Sequence, residues 1–200
     1  MERIIIFIIR FLFLGLLSFE GANLAGILKF TLEFSWLGLF LTALAVWLGL
    51  ELLAYFSKKK YQYNFPVFIF LIPAFNILFD AIGDTFHWYS KFSWYDQAMH
   101  FSGGAAGAAV IFFILRVIFL RQKILSARFI AFIAFLISNF FGILYELEEY
   151  FESFFLHNNR LGGRFDTPND LFFNMIGALV GVLLAILIVQ MKKKKGLSGL

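Results

Sequence analysis

Six apolar runs, at about 4–19, 35–56, 65–82, 97–120, 128–147 and 170–191, constrain this chain more than any other feature. Most approach or reach the roughly 17 to 25 residues that a helix needs to cross a bilayer. They predict an all-α polytopic integral membrane protein of six spans, a single transmembrane domain over residues 1–200 with polar loops at 83–96 and 148–169. The composition points the same way, with 61% hydrophobic, 20% aromatic and only 15% charged residues and a mean hydropathy of +0.83, well outside soluble usage. There is no cysteine, which excludes disulfides, thiolate metal sites and cysteine nucleophiles. A net charge of +4 does not indicate nucleic acid, because the basic residues sit in short clusters at the ends of apolar runs, where they carry topological information.

The first run, Ile4 to Phe19, contains Arg10 and is slightly short, but no small-residue cleavage site follows it, so it is expected to remain as a span. Arg10, deep in that run, calls for a carboxylate or a cavity. Asn23 to Phe34, with Lys29 and Glu33 among apolar residues, reads as a connecting segment whose amphipathic half lies at the membrane interface. Pro73 falls inside the third run, where its missing N–H should kink a helix. Trp88, Tyr89, Trp94 and Tyr95 crowd the following loop and mark a headgroup boundary. Asp80, Asp84 and His87 line up at helical spacing before it and read as a solvated helix end, with a supporting role at a site as the alternative. Gly103 with Gly107, and Gly177 with Gly181, are small-xxx-small pairs that permit close helix approach. The start of the sixth span reads as a capping box, with Thr167 at the N-cap, Pro168 first in the helix and Asp170 as the reciprocal acid.

Placing the Lys and Arg clusters in the cytoplasm gives one topology, with both termini inside. Arg3, Lys58, Lys59, Lys60, Arg121, Lys123, Arg128 and Lys192 to Lys195 then fall inside, and Lys29, Lys91, Arg160 and Arg164 outside. Acids play no part in that assignment. Even so, Asp80, Asp84, Asp96, Glu146, Glu148, Glu149, Glu152, Asp166 and Asp170 all reach the outer face with His87, His100 and His157. A multi-pass protein of the cell membrane with an extracytoplasmic polar site is the expectation.

The densest acidic stretch is Tyr145-Glu-Leu-Glu-Glu-Tyr-Phe-Glu152, directly after an apolar run. On a helix Glu146 and Glu149 share one face, the candidate for chemistry, and Glu148 and Glu152 share another, assigned to water or headgroups. Two further helix ends carry polar pairs one turn apart, Asp96 with His100 and Asp170 with Asn174. Helix capping for the acids, and a helix–helix hydrogen bond for His100 and Asn174, are the structural alternatives. Glu146 has the least comfortable structural role, following Ile143 and Leu144 so closely. Arg160 and Arg164 could hold phosphate or balance Glu148 and Glu152. Zinc-protease, nucleophile-elbow and glycine-rich phosphate signatures are all missing from the sequence. An oxygen-rich set with one inward histidine suits Mg²⁺, Mn²⁺ or Ca²⁺, held by Glu146, Glu149 and Asp170, better than structural zinc. It suits proton transfer equally.

Three motifs in order, Trp94-Tyr-Asp-Gln-Ala-Met-His-Phe101, Tyr145-Glu-Leu-Glu-Glu149 and Asp166-Thr-Pro-Asn-Asp-Leu-Phe-Phe-Asn-Met-Ile-Gly-Ala178, resemble the VanZ-like membrane proteins, and most closely their YjdF-type branch. The likeness covers the last three spans. Its polar positions fall on Asp96, His100, Glu146, Glu149, Asp166, Asp170 and Asn174. Glu149 stands where typical relatives carry the glutamine of a Glu-x-x-Gln arrangement. The best-known member of that group is linked to glycopeptide-antibiotic resistance, and the wider group has been proposed to act on lipid headgroups or lipid-linked envelope precursors. The resemblance therefore implies membrane lipids or a lipid-linked precursor as partner. Hydrolysis or transfer at a phosphate-linked headgroup is the expected chemistry. His100 supported by Asp96 would be base or nucleophile, Glu146 and Glu149 would hold the cation or act as acid, Asp170 and Asn174 would orient the histidine or the metal, and Arg160 or Arg164 would steady phosphate. A proton- or cation-coupled transporter and a non-catalytic assembly or resistance factor are the alternatives.

Overall fold

The computed structural model describes residues 2–120, 125–158 and 160–194. Arg121, Lys123 and Lys195, which enter the charge asymmetry above, lie outside the described residues, as do the side chains of Arg3 and Lys192 to Lys194. Among the described residues there are seven α-helices and no strand: α1 (Glu2–Leu24), α2 (Trp36–Tyr61), α3 (Phe68–Thr85), the single-turn α4 (Trp88–Lys91), α5 (Tyr95–Leu115), α6 (Ala127–Leu156) and α7 (Asp166–Lys194). A π-helical turn over Arg116–Leu120 extends α5. Six of the helices are long and apolar enough to cross a membrane. Bulky apolar side chains such as Phe7, Phe11 and Phe155 point outward, as expected where lipid is the solvent and outer surfaces need no polar cover.

The chain divides into two compact units. The first comprises residues 1–95 with 150–160. Within it α1 and α2 are antiparallel, because Phe19 near the end of α1 meets Trp36 at the start of α2 edge-on at 5.5 Å, while Arg10 near the start of α1 pairs with Glu51 towards the end of α2. That pair is bidentate, with Nε to Oε1 at 2.5 Å and the second nitrogen to Oε2 at 2.7 Å, the fork geometry that guanidinium and carboxylate favour. It supplies the partner that Arg10 requires. Helix α2 opens on Ser35, an extended N-cap residue whose hydroxyl accepts from the Gly38 N–H at 2.9 Å. It closes on Lys58, Lys59 and Lys60, cations suited to the negative end of a helix dipole.

Three expectations change here. Helix α1 runs past Phe19, where the first run was expected to end, to Leu24, and the connecting segment that follows it is a loop. Gly26, at φ +73°, ends α1, and Asn23 ties the loop down by donating to the Phe19 carbonyl and accepting from the Phe30 N–H. Second, Asp80 and Asp84 are buried rather than solvated. Asp84 Oδ1 accepts the backbone N–H groups of Glu33 and Phe34 at 2.8 and 3.0 Å, and Asp80 accepts from the Tyr89 hydroxyl. Third, Glu152 is buried too, accepting from the Ser35 hydroxyl. Helix α6 carries it there by continuing to Leu156 through a stretch expected to be loop. Aromatic pairs one turn apart support that continuation, Tyr150 on Phe154 and Phe151 on Phe155, with centroids 6.2 and 6.1 Å apart.

The second unit comprises residues 96–149 with 161–200. Its helix contacts are backbone-close. A methyl group added at Gly177 would strike the Phe101 carbonyl, one at Gly181 the Ala105 carbonyl, and one at Gly104 the Asn174 carbonyl. Both partners advance four residues from Phe101–Gly177 to Ala105–Gly181, so α5 and α7 run parallel. Helix α6 runs against both, since Ser138 donates to the Gly104 carbonyl at 3.0 Å while Glu146, two turns further on, reaches His100. Gly177 and Gly181 thus make the approach expected of them. On α5 Gly107 does so against the Ser138 hydroxyl, whereas Gly103 has nothing within 4 Å and the contact with α7 belongs to Gly104.

Candidate functional site

The parallel course of α5 and α7, with α6 reversed, brings two helix starts and one helix end to the same end of the second unit. His100 stands one turn into α5, Asp170 and Asn174 lie in the second and third turns of α7, and Glu146 and Glu149 lie on one face of α6. All five are buried, with Asp170 only 1% exposed. The imidazole is the hub. Its Nε2 lies 3.5 Å from Asp96 Oδ1 and 3.8 Å from Asp170 Oδ1, and its Nδ1 lies 3.7 Å from Glu146 Oε1 and 3.2 Å from the Asn174 amide. The Tyr145 ring meets the imidazole edge-on at 5.7 Å. Asn174 is itself held tightly, because its backbone passes over Gly104 and its amide over Gly142.

Polar satisfaction is incomplete in a telling way. Neither oxygen of Glu146 and neither oxygen of Asp170 has a hydrogen-bond partner among the described residues. The capping box expected at the start of α7 does not form for the same reason. The helix begins at Asp166, one residue before the proposed cap, so Thr167 and Pro168 sit in its first turn and the Asp170 carboxylate turns towards His100. Buried carboxylates without donors are costly unless something positive joins them. Asp96, His100 and Asp170 bring ligand atoms within 4.8 Å of one another, and so do His100, Glu146 and Glu149. Four carboxyl groups around one imidazole need bound protons or a cation to offset their mutual repulsion. Hard cations with oxygen-rich shells match that donor set.

Arg164 is exposed and lies against Phe165, 5.3 Å from the ring centroid. Arg160 belongs to the first unit, where its guanidinium stacks over Phe34 at 4.3 Å and Tyr89 at 5.6 Å. Asp166 is half-buried in the first turn of α7. Two residues escaped the sequence reading. Tyr145 was noted only as the start of the acidic stretch, and Gly142, which admits the Asn174 amide, carried no signal beyond being small.

A family model described as predicted membrane protein (DUF2238) matches residues 6–191, and the chain belongs to that family. No curated protein and no solved structure matches it.

Proposed function

We propose that this member of the family acts on phosphate-linked headgroups of lipids or of lipid-carried envelope precursors, by hydrolysis or transfer, at the His100 centre of its second unit. The observation that carries the reading is the pair of buried carboxylates, Glu146 and Asp170, turned without hydrogen bonds towards the only histidine of the cluster. The likeness of the three motifs to VanZ-like and YjdF-type proteins supports the same substrate class. The positive-inside reading of the Lys and Arg clusters sets this centre at the outer leaflet, where a substrate could present its headgroup while its tail stays in the bilayer.

Glu146, Glu149 and Asp170 would hold a divalent cation, which as a Lewis acid would polarise a phosphoryl oxygen, with the His100 ring left for proton transfer. The chain's own groups supply the rest. Asn174 meets Nδ1 of His100 through its side-chain amide; with the amide oxygen turned to that nitrogen, the ring proton sits on Nδ1 and Nε2 is left as the base. The other ring nitrogen, flanked by Asp96 and Asp170, takes a proton from the attacking hydroxyl, and those carboxylates stabilise the imidazolium that results. The imidazolium then returns that proton to the leaving oxygen. Arg164 is free to meet a phosphate at the surface.

Comparative lipid mass spectrometry of cells expressing wild type, His100→Ala and Glu146→Ala at matched protein levels tests this. A headgroup change present only with wild type is expected. No change, together with a cation- or pH-gradient-dependent flux that Glu146→Ala abolishes, would replace the enzyme by a coupled transporter.

A further inference from the structure

The first unit contains a carboxylate that the reading above does not use. Glu20, in the last turns of α1, is 1% exposed, and neither of its oxygens has a hydrogen-bond partner among the described residues. Its neighbours cannot supply what is missing. Asn23, one turn on, spends its amide on the Phe19 carbonyl and the Phe30 N–H. Arg10, the other charged residue inside this span, is committed to Glu51 through two hydrogen bonds. Arg160 is stacked on Phe34 and Tyr89.

The other buried acids of the unit are provided for. Asp84 has two backbone N–H donors, Glu152 has the Ser35 hydroxyl and Asp80 has the Tyr89 hydroxyl. Asp80, on α3, also lies within electrostatic range of Glu20, and α3 packs on α1. Glu20 is thus linked to Asp80 and, through Asp80, to Asp84, Tyr89 and Tyr95, with Arg160 acting on Asp84. A donor-free carboxylate within electrostatic range of a second carboxyl group in an apolar interior attracts a small positive ion, because either a bound proton or a bare cation removes the uncompensated charge.

We propose that Glu20, with Asp80 beside it, is a second small-cation site of this protein, taking a proton or an alkali ion, separate from the His100 centre and independent of what that centre does. Asp80 can offer its second oxygen while Tyr89 holds the first, so the pair presents oxygen ligands only, the donor type that hard monovalent ions accept.

Infrared difference spectroscopy on protein reconstituted in liposomes, wild type minus Glu20→Gln, tests the proposal in choline, sodium and potassium buffers. A carbonyl stretch of an undissociated acid, absent from Glu20→Gln and shifted in heavy water, identifies the proton as occupant. Carboxylate bands of Glu20 that move when sodium or potassium replaces choline identify the alkali ion. Carboxylate bands indifferent to all three buffers overturn the proposal. Should Glu20→Gln fail to fold, a hydrophobic carbodiimide applied to the wild type in choline buffer reads the same site, since it modifies only carboxyl groups carrying a proton. An adduct on Glu20 at neutral pH in choline, whether or not added sodium or potassium suppresses it, is expected; no adduct at neutral pH in choline overturns the site.

Discussion

Asp170→Asn should raise the stability of the metal-free protein while weakening its hold on divalent cations, an opposition of signs that a purely structural aspartate would not produce. At an effective dielectric constant of about 20, a charged His100 at 3.8 Å contributes about 4 kcal/mol of attraction to Asp170. Asp96, with its ligand oxygen within 4.8 Å, contributes about 3.5 kcal/mol or more of repulsion. These nearly cancel, and a neutral imidazole would tip the balance further towards repulsion. What remains is the desolvation of a carboxylate with no hydrogen bond, about 1–3 kcal/mol, which an isosteric amide largely removes. Thermal unfolding in detergent with a chelator should therefore place Asp170→Asn above wild type by about 2–4 °C for each kcal/mol, the usual scale for a chain of this size. With Mg²⁺, Mn²⁺ or Ca²⁺ at 100 times its dissociation constant the wild type should gain about 2.7 kcal/mol, and most of that gain should vanish in the variant. If Asp170→Asn melts below wild type in chelator, and no divalent ion shifts the wild type, the cluster is a structural network and the cation reasoning fails.

Three other outcomes follow from the same geometry. Gly177→Leu forces a side chain into the Phe101 carbonyl and should cost about 1–3 kcal/mol or more by overpacking, whereas Gly103→Ala, with open space around it, should be neutral or stabilising by up to about 1 kcal/mol; thermal melts of the two variants compare them directly. Glu51→Ala strands Arg10 in hydrocarbon and should destabilise by about 2.5–3.5 kcal/mol on an insertion scale, while Arg10→Ala combined with Glu51→Ala recovers much of the loss; strictly additive effects in that double-mutant cycle would mean the two residues do not act as a pair. Single cysteines at Asn158 and Lys59 in this cysteine-free chain report orientation, and an impermeant thiol reagent on intact cells should label the first and spare the second.

The spans and most of the His100 cluster were legible because both depend on local spacing. Run length is read directly against bilayer thickness, and i, i+3 and i, i+4 spacing puts Glu146 with Glu149 and Asp96 with His100 on shared faces wherever the helices lie. What was not legible depends on partners far away in the chain. Asp84 looked solvated because its donors, the N–H groups of Glu33 and Phe34, come from a loop some 50 residues earlier, and backbone donors leave no mark in a sequence. Glu152 was assigned to the surface because Ser35, 117 positions away, carries nothing to announce itself.

Glu20 was missed for a different reason. In a soluble helix its burial would show as a polar residue on an apolar stripe, and the stripe exists: Ile9, Phe13, Leu17 and Glu20 are all buried along one face of α1. In a membrane helix the opposite face is equally apolar, as Phe7 and Phe11 at 66% and 69% exposure illustrate, so composition around the helix carries almost no period. With no period to place it, Glu20 could only be read as the break that ends an apolar run, and the run was closed at Phe19. Arg10 escaped that fate only because apolar residues resume after it for most of a helix length. Hydropathy therefore treats a charge near a span's end as the boundary by construction, and that is also where a buried ion site is hardest to tell from the membrane surface. An acid there is distinguished by whether donors reach it, a property of the folded neighbours. By that criterion Glu20, Glu146 and Asp170 stand together, and Asp84 and Glu152 do not.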